Sequence, residues 1–178
     1  MCKYYDLSIK FPNDKSYKEK FFDNFPNDFK TFNSIYGYNE YFYRGRNIIY
    51  SGPLSGAYNY EHIHDLFCNL VDVVNKDKFY MKIVNLTIDN YWEADSELQF
   101  CIQEKIINDI DYVLKAVNTL SEKDAYGFWF FIFDRPHPSN LKELYDALYK
   151  IAIIKDSKQA LLMEKAYKWL IEEDDHGH

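Results

Sequence analysis

Glu61-His62-Ile63-His64-Asp65 gathers four side chains able to ligate a metal. On a helix, His62 and His64 point about 200° apart and cannot share one ion, while His64 and Cys68, like Glu61 and Asp65, share a face one turn apart. Two ligands fall short of the three or four that zinc takes, and neither a second cluster nor a His-Glu-x-x-His motif completes the set. No metal and no cofactor are therefore expected. Arg44-Gly45-Arg46 offers two guanidinium groups beside a Ser51–Gly56 loop, with Tyr50, Ser51 and Ser55 close in sequence. Planar donors of this kind hold a phosphate or carboxylate through paired hydrogen bonds. The loop lacks the Gly-Lys-Ser/Thr of a phosphate-binding loop, and two solvated arginines at a hairpin turn are the plainer account. Arg44, Arg46, His62 and His64 together define an alternative reading as a small enzyme or anionic-ligand-binding domain. No Gly-x-Ser-x-Gly elbow and no Gly-x-Gly-x-x-Gly occurs. His137 is held between two prolines, but nothing visible orients its ring for acid–base work. Cys2, Cys68 and Cys101 are odd in number and widely separated, so they read as lone, buried thiols in a reducing setting. A Cys68–His64 nucleophilic pair is formally available, but burial argues against it.

Charge placement is more informative than any of these motifs. The 178 residues carry a formal net charge of -7, with only 3 Arg among 21 basic residues. That balance argues against a general nucleic-acid binder, which needs surplus cations to displace counterions from phosphates. Residues 1–88 carry a net +1 and residues 89–178 a net -8. Between Asp89 and Asp111 stand seven acids (Asp89, Glu93, Asp95, Glu97, Glu104, Asp109 and Asp111) against the single base Lys105. At 100° per residue, Glu97, Glu104 and Asp111 fall within about 40° of one another on a continuous helix. The apolar stripe Ile102, Ile106, Ile110, Val113 and Val117 lies opposite. Such a helix presents carboxylates to solvent and fills a core with its far side, and charge runs of this sort often do no more than keep a helix soluble.

The elements that must position these residues read as an α+β fold: one helix-rich domain with a small, mostly antiparallel sheet of three to five strands. The domain spans 1–172, and 173–178 is a polar C-terminal tail holding His176 and His178. Alternation at Tyr5, Leu7, Ile9 and Phe11 predicts a first strand. Phe11-Pro12-Asn13-Asp14 and Phe25-Pro26-Asn27-Asp28 each predict the opening of a short helix, since proline fits a first turn and Asn or Asp satisfies its free N–H groups. Residues 41–50 predict a hairpin turning at 44–47, and Tyr60 to Asn75 predict a helix. Phe79 to Ile88, apolar on both alternating faces, and Gly127 to Phe133 predict buried strands. A long helix is expected from Ser96 to Leu120, another after Ser139 or Asn140 with Glu143 as capping-box partner, and a last one over Ser157 to Glu172. The N-terminus is polar and lacks the apolar run of a signal peptide, and the longest apolar stretch, Phe128 to Phe133, is far short of a membrane span. The setting expected from these features is cytoplasmic.

Aromatics are the second excess: 17 Tyr, 14 Phe and 3 Trp. One small core does not comfortably bury them all, so some should be exposed. Acidic patches edged by exposed aromatics suit a basic protein partner, the rings supplying burial and the carboxylates steering and charge pairs. On the carboxylates from Glu93 to Asp111 with Tyr91 and Trp92, the chain resembles the immunity proteins of bacterial polymorphic and contact-dependent growth-inhibition toxins. The resemblance is one of type: acidic, aromatic-rich and without a catalytic motif. It implies a non-enzymatic protein that binds a cognate, basic, nuclease-like toxin and occludes its active site or a nearby surface. The partner-binding residues expected on that reading are Asp89, Tyr91, Trp92, Glu93, Asp95, Glu97, Glu104 and Asp111. A phage-type inhibitor of a bacterial defence enzyme needs the same surface, and a structural subunit burying its aromatics against copies of itself is a blander possibility.

Overall fold

A computed structural model describes residues 15–36, 38–43, 46–51, 68–88, 96–134 and 138–176. The chain, read from sequence as one domain over 1–172, divides into two compact units, Met1–Leu86 and Thr87–His178. The first strand expected at Tyr5 to Phe11 lies outside the described residues, as does most of the helix expected at Tyr60 to Asn75, of which Cys68 is helical and 69–74 form turns and a bend.

In the first unit, α1 (Lys15–Asn24) and α2 (Phe29–Tyr36) follow the two Pro-Asn-Asp segments as expected. Asp28 caps α2: its carboxylate accepts the Thr31 main-chain N–H and the Thr31 hydroxyl, each at 2.8 Å. Those two bonds, the main-chain one foremost, hold the Asp28 carboxyl below its usual range. β1 (Tyr38–Tyr43) pairs antiparallel with β2 (Arg46–Ser51), in the register Tyr38 to Ser51 through Tyr43 to Arg46. Arg46 and Asn47 therefore belong to a strand rather than to the turn. α3 (Lys76–Thr87) opens at Asn75, whose side-chain oxygen accepts the Lys78 N–H at 3.1 Å.

The expected sheet of three to five strands is overturned. Among the described residues the hairpin is the whole of the extended structure, and the rest of the regular structure is helical. Phe79 to Thr87 is the body of α3, and its buried residues, Phe79, Tyr80, Lys82, Ile83, Val84, Leu86 and Thr87, recur with helical spacing. Apolar residues on both alternating faces thus marked a helix buried around most of its circumference. The core of this unit is aromatic: Phe22 stacks on Phe79 at 6.2 Å, Phe25 lies 5.6 Å from both Phe21 and Phe32, and Phe79 meets Tyr80 edge-on at 5.2 Å.

The described residues of the second unit form five helices: α4 (Ser96–Ile106), α5 (Ile110–Val117), α6 (Glu122–Phe133), α7 (Pro138–Lys155) and α8 (Ser157–His176). Gly127 to Phe133, expected as a strand, is the second half of α6. Ser121 caps it, accepting the Asp124 N–H at 3.2 Å and donating its hydroxyl to the Asp124 carboxylate at 2.7 Å. α6 is buried almost all round, with Phe128, Trp129, Phe131, Ile132 and Phe133 in the core, so it shows no polar face to betray a helical period. α7 begins on Pro138, which needs no N–H partner at a first helical position, so Ser139 and Asn140 lie inside the first turn rather than capping it. α8 continues through residues 173–176, expected as tail.

The long helix expected over 96–120 is interrupted at 107–109, where Asn108 and Asp109 both turn their N–H groups back to the Lys105 carbonyl. Asn and Asp compete with helical backbone bonding, and here two stand in succession. Polar groups lock α8 to its neighbours. Trp129 donates its indole N–H to Gln159 at 2.8 Å, Gln159 donates to Asn118 at 2.8 Å, and Asn118 donates to Asp156 at 2.6 Å. The other Asp156 oxygen caps α8 by accepting the Gln159 N–H at 3.1 Å. No helix among the described residues is long and apolar enough to cross a membrane.

Candidate functional site

α4 carries the candidate surface, and two glutamines set which of its faces is presented. Beyond the Phe130 carbonyl, which accepts the Asp134 N–H, the last carbonyls of a helix such as α6 have no intrahelical N–H to meet. Gln99 donates its amide to the Phe131 carbonyl at 2.5 Å, and Gln103, one turn later, donates to the Ile132 carbonyl at 2.7 Å. With Cys101, Ile102 and Ile106 also buried, the rotation of α4 about its axis is fixed. Gln99 is wholly buried, and its side-chain oxygen has no hydrogen-bond partner.

The opposite side of α4 is not the row of carboxylates that a continuous helix predicts. Phe100 (51% exposed) and Glu104 stand one turn apart in solvent, followed by exposed Ile107 at the interruption. Asp111 and Tyr112, both exposed, follow on α5. Acid and apolar groups are thus interleaved. The expected arc of Glu97, Glu104 and Asp111 is corrected because the break places Asp111 on a separate helix. Both Asp111 carboxylate oxygens accept the Lys155 ammonium, at 2.5 and 2.8 Å. Both partners are solvent-exposed, so the pair stabilises by less than about 1 kcal/mol. Its larger consequence is geometric. It draws the last turn of α7, with exposed Ile153 and Ile154 (81% exposed), to the start of α5.

Of the eight residues expected to contact a partner, Asp89, Tyr91, Trp92, Glu93 and Asp95 lie outside the described residues, and so does the Glu97 side chain on the first turn of α4. Glu104 and Asp111 are described and exposed. Phe100, Ile107, Tyr112, Ile153 and Ile154 were missed. Phe100 was findable: four residues before Glu104, it falls about 40° from it on a helix, inside the predicted acidic stripe. The α7 residues carry no local signal, since long-range contacts, the Asp111–Lys155 pair and the Asn118–Asp156 bond, bring them here.

Of the alternative set, Arg44, His62 and His64 lie outside the described residues, and of Arg46 only the β2 backbone is described. Among the described residues no group of three or more His, Cys, Asp or Glu is arranged to hold a metal ion. Cys68 and Cys101 are buried and disulfide-bonded, which corrects the reading of lone thiols and removes Cys68 as a nucleophile. Set against family models, curated proteins and solved structures, the chain matches none of them.

Proposed function

We propose that this chain is an immunity-type binding protein that neutralises a basic, nuclease-like toxin by covering its active site or a surface beside it. The observation that carries the reading is the interleaving of exposed apolar side chains with carboxylates along Phe100, Glu104, Ile107, Asp111 and Tyr112. Large apolar groups left in water gain by burial, about 25 cal/mol per Å², and carboxylates set between them reject partners that bring no cations. The net -8 of residues 89–178 adds long-range attraction for such a partner.

The test is co-expression with the product of the gene beside this one, followed by affinity measurements on the purified pair. The wild-type chain is expected to restore growth. Phe100→Ser combined with Glu104→Lys changes two exposed side chains, so the fold should survive while affinity falls at least about tenfold, or 1.4 kcal/mol. An unchanged affinity in a variant with wild-type circular dichroism would remove this surface from the interface. A neighbouring gene without toxicity would remove the immunity role itself.

A further inference from the structure

The first unit contains a pocket that the surface on α4 and α5 does not involve. It has a volume of about 420 Å³ and lies between the C-terminal turn of α1 and one side of α3. Its walls include Phe22 and Asp23 from α1 and Asp77, Lys78, Met81 and Lys82 from α3. Lys82 is 7% exposed. Its amine donates to the carbonyls of Phe22 at 2.6 Å and Phe25 at 2.7 Å, and stands 4.6 Å from the centre of the Phe22 ring.

The two carbonyls and the ring face favour the ammonium, and burial opposes them. The neutral amine keeps two N–H bonds for the two carbonyls, so deprotonation breaks neither hydrogen bond. Burial lowers the Lys82 ammonium from 10.5 to about 8 against the pull of Asp23, so an appreciable share is unprotonated just above neutral pH. A lysine desolvated beside an apolar wall is a nucleophile toward carbonyl carbon.

We propose that this pocket binds a small anionic aldehyde, and that Lys82 condenses with it. Phe22 and Met81 receive the carbon skeleton, Lys78 pairs with the anionic group, and the Asp23 and Asp77 carboxyls exchange protons with the reacting oxygen. The Lys82 lone pair forms the C–N bond as the C=O π pair moves to oxygen, which takes a proton while the nitrogen gives one up. The carbinolamine hydroxyl then leaves as water on receiving a second proton, and the nitrogen pair closes the C=N bond. Aldehyde and amine become imine and water, with no net oxidation. A protonated imine keeps one N–H, so one of the Phe22 and Phe25 carbonyls is released.

The test uses the full chain with 4-carboxybenzaldehyde, trapped by cyanoborohydride and mapped by peptide mass spectrometry over its 18 lysines. The charged groups of the pocket are Asp23 from α1 and Asp77 and Lys78 from α3. At pH 8, Lys82 is expected to be labelled at least tenfold faster than exposed lysines such as Lys142 and Lys168. Its rate should level off above pH 8 while theirs still climbs at pH 10. Lys78→Met should slow labelling of Lys82 by this probe several-fold and leave its labelling by uncharged benzaldehyde unchanged. Labelling of Lys82 no faster than of the exposed lysines overturns the proposal, and equal rates for the two aldehydes overturn the anionic ligand class. Lys82→Arg, checked for wild-type circular dichroism, confirms the assignment if the fast adduct disappears and overturns it if the adduct persists.

Discussion

Lys82 and Tyr145 show how burial sets opposite signs on two groups of one chain. The Lys82 amine ties α3 to the end of α1, supplying donors to carbonyls at the close of a helix, where cations are favoured. Desolvation outweighs that benefit for the charged form, so the folded value near 8 lies below the 10.5 of an unfolded lysine. Between those values the unfolded chain binds the extra proton, and stability must rise with pH; below 8 the full penalty applies. Tyr145 runs the other way. Burial first, then Tyr149 and Glu164, push its phenol up to about 12, so above pH 10 the unfolded chain loses the proton first and stability falls. Urea unfolding at pH 7.5 and pH 9.5 of wild type and Lys82→Met separates the two, because the Tyr145 contribution is common to both proteins. The stability of wild type relative to the variant should increase with pH by on the order of 1–3 kcal/mol. A constant difference refutes the assigned shift. The glutamines on α4 give a second contrast. Gln103→Leu removes a satisfied bond and should cost about 1 kcal/mol, whereas Gln99→Leu also removes a buried oxygen without a partner and should cost less. The ranking is read from paired denaturation curves, and a larger loss at Gln99 contradicts it.

Helix α8 shows how close packing turns small residues into constraints. Ala160, Met163 and Ala166 are fully buried on the side of α8 that meets its neighbours, where α6 and α7 make its main contacts. Ala166→Leu adds volume to a filled site and should destabilise by about 1–3 kcal/mol, measured as a lowered urea midpoint with unchanged slope. No loss would mean the helices stand apart at this level. The amphipathic pattern of α8 was legible in sequence, as were α1, α2 and the hairpin, because each has a polar face, a Pro-Asn-Asp start or a short glycine turn. α6 was misread because a helix buried nearly all round loses the polar stripe that reveals a period of 3.6, and α3 because the apolar alternation over 79–88 masked its Lys78, Lys82 and Asn85 stripe. Their caps held the missing information. Asn75 and Ser121 each stand three residues before the N–H they accept, and neither position suits the start of a central strand. At the candidate surface, Glu104 was legible as an exposed acid on the outer face of α4. The interruption at Asn108-Asp109 was not, since the apolar stripe from Ile102 to Val117 keeps its period across it. Long-range partners leave no periodic trace, which is why Lys155 and Ile154 were absent from the expected surface.

At the scale of the molecule, the proposed function divides the work of binding between the sign of the charge, which acts on association, and the place of the apolar groups, which acts on dissociation. The described large apolar side chains that remain exposed, Phe100 to Ile171, all belong to the acidic second unit. Attraction between a net -8 segment and a cationic partner acts before contact and raises the on-rate, and it weakens as salt shortens the screening length to about 3 Å at 1 M. Burial of Phe100 and Ile154 acts after contact and governs release. With the basic toxin proposed above, association should therefore slow on the order of tenfold between 0.05 and 0.5 M salt, with dissociation changing little. Glu104→Lys should flatten that salt dependence at nearly constant dissociation. Ile154→Ser should speed dissociation severalfold at unchanged association. Asp111 is a poorer probe than Glu104. Reversing it sets two cations against each other at Lys155, so a loss of binding would report that local repulsion as much as lost attraction. Stopped-flow kinetics across the salt series decides the matter. If Glu104→Lys alters release alone, the carboxylate is a buried contact rather than part of the steering field, and the division by rate fails.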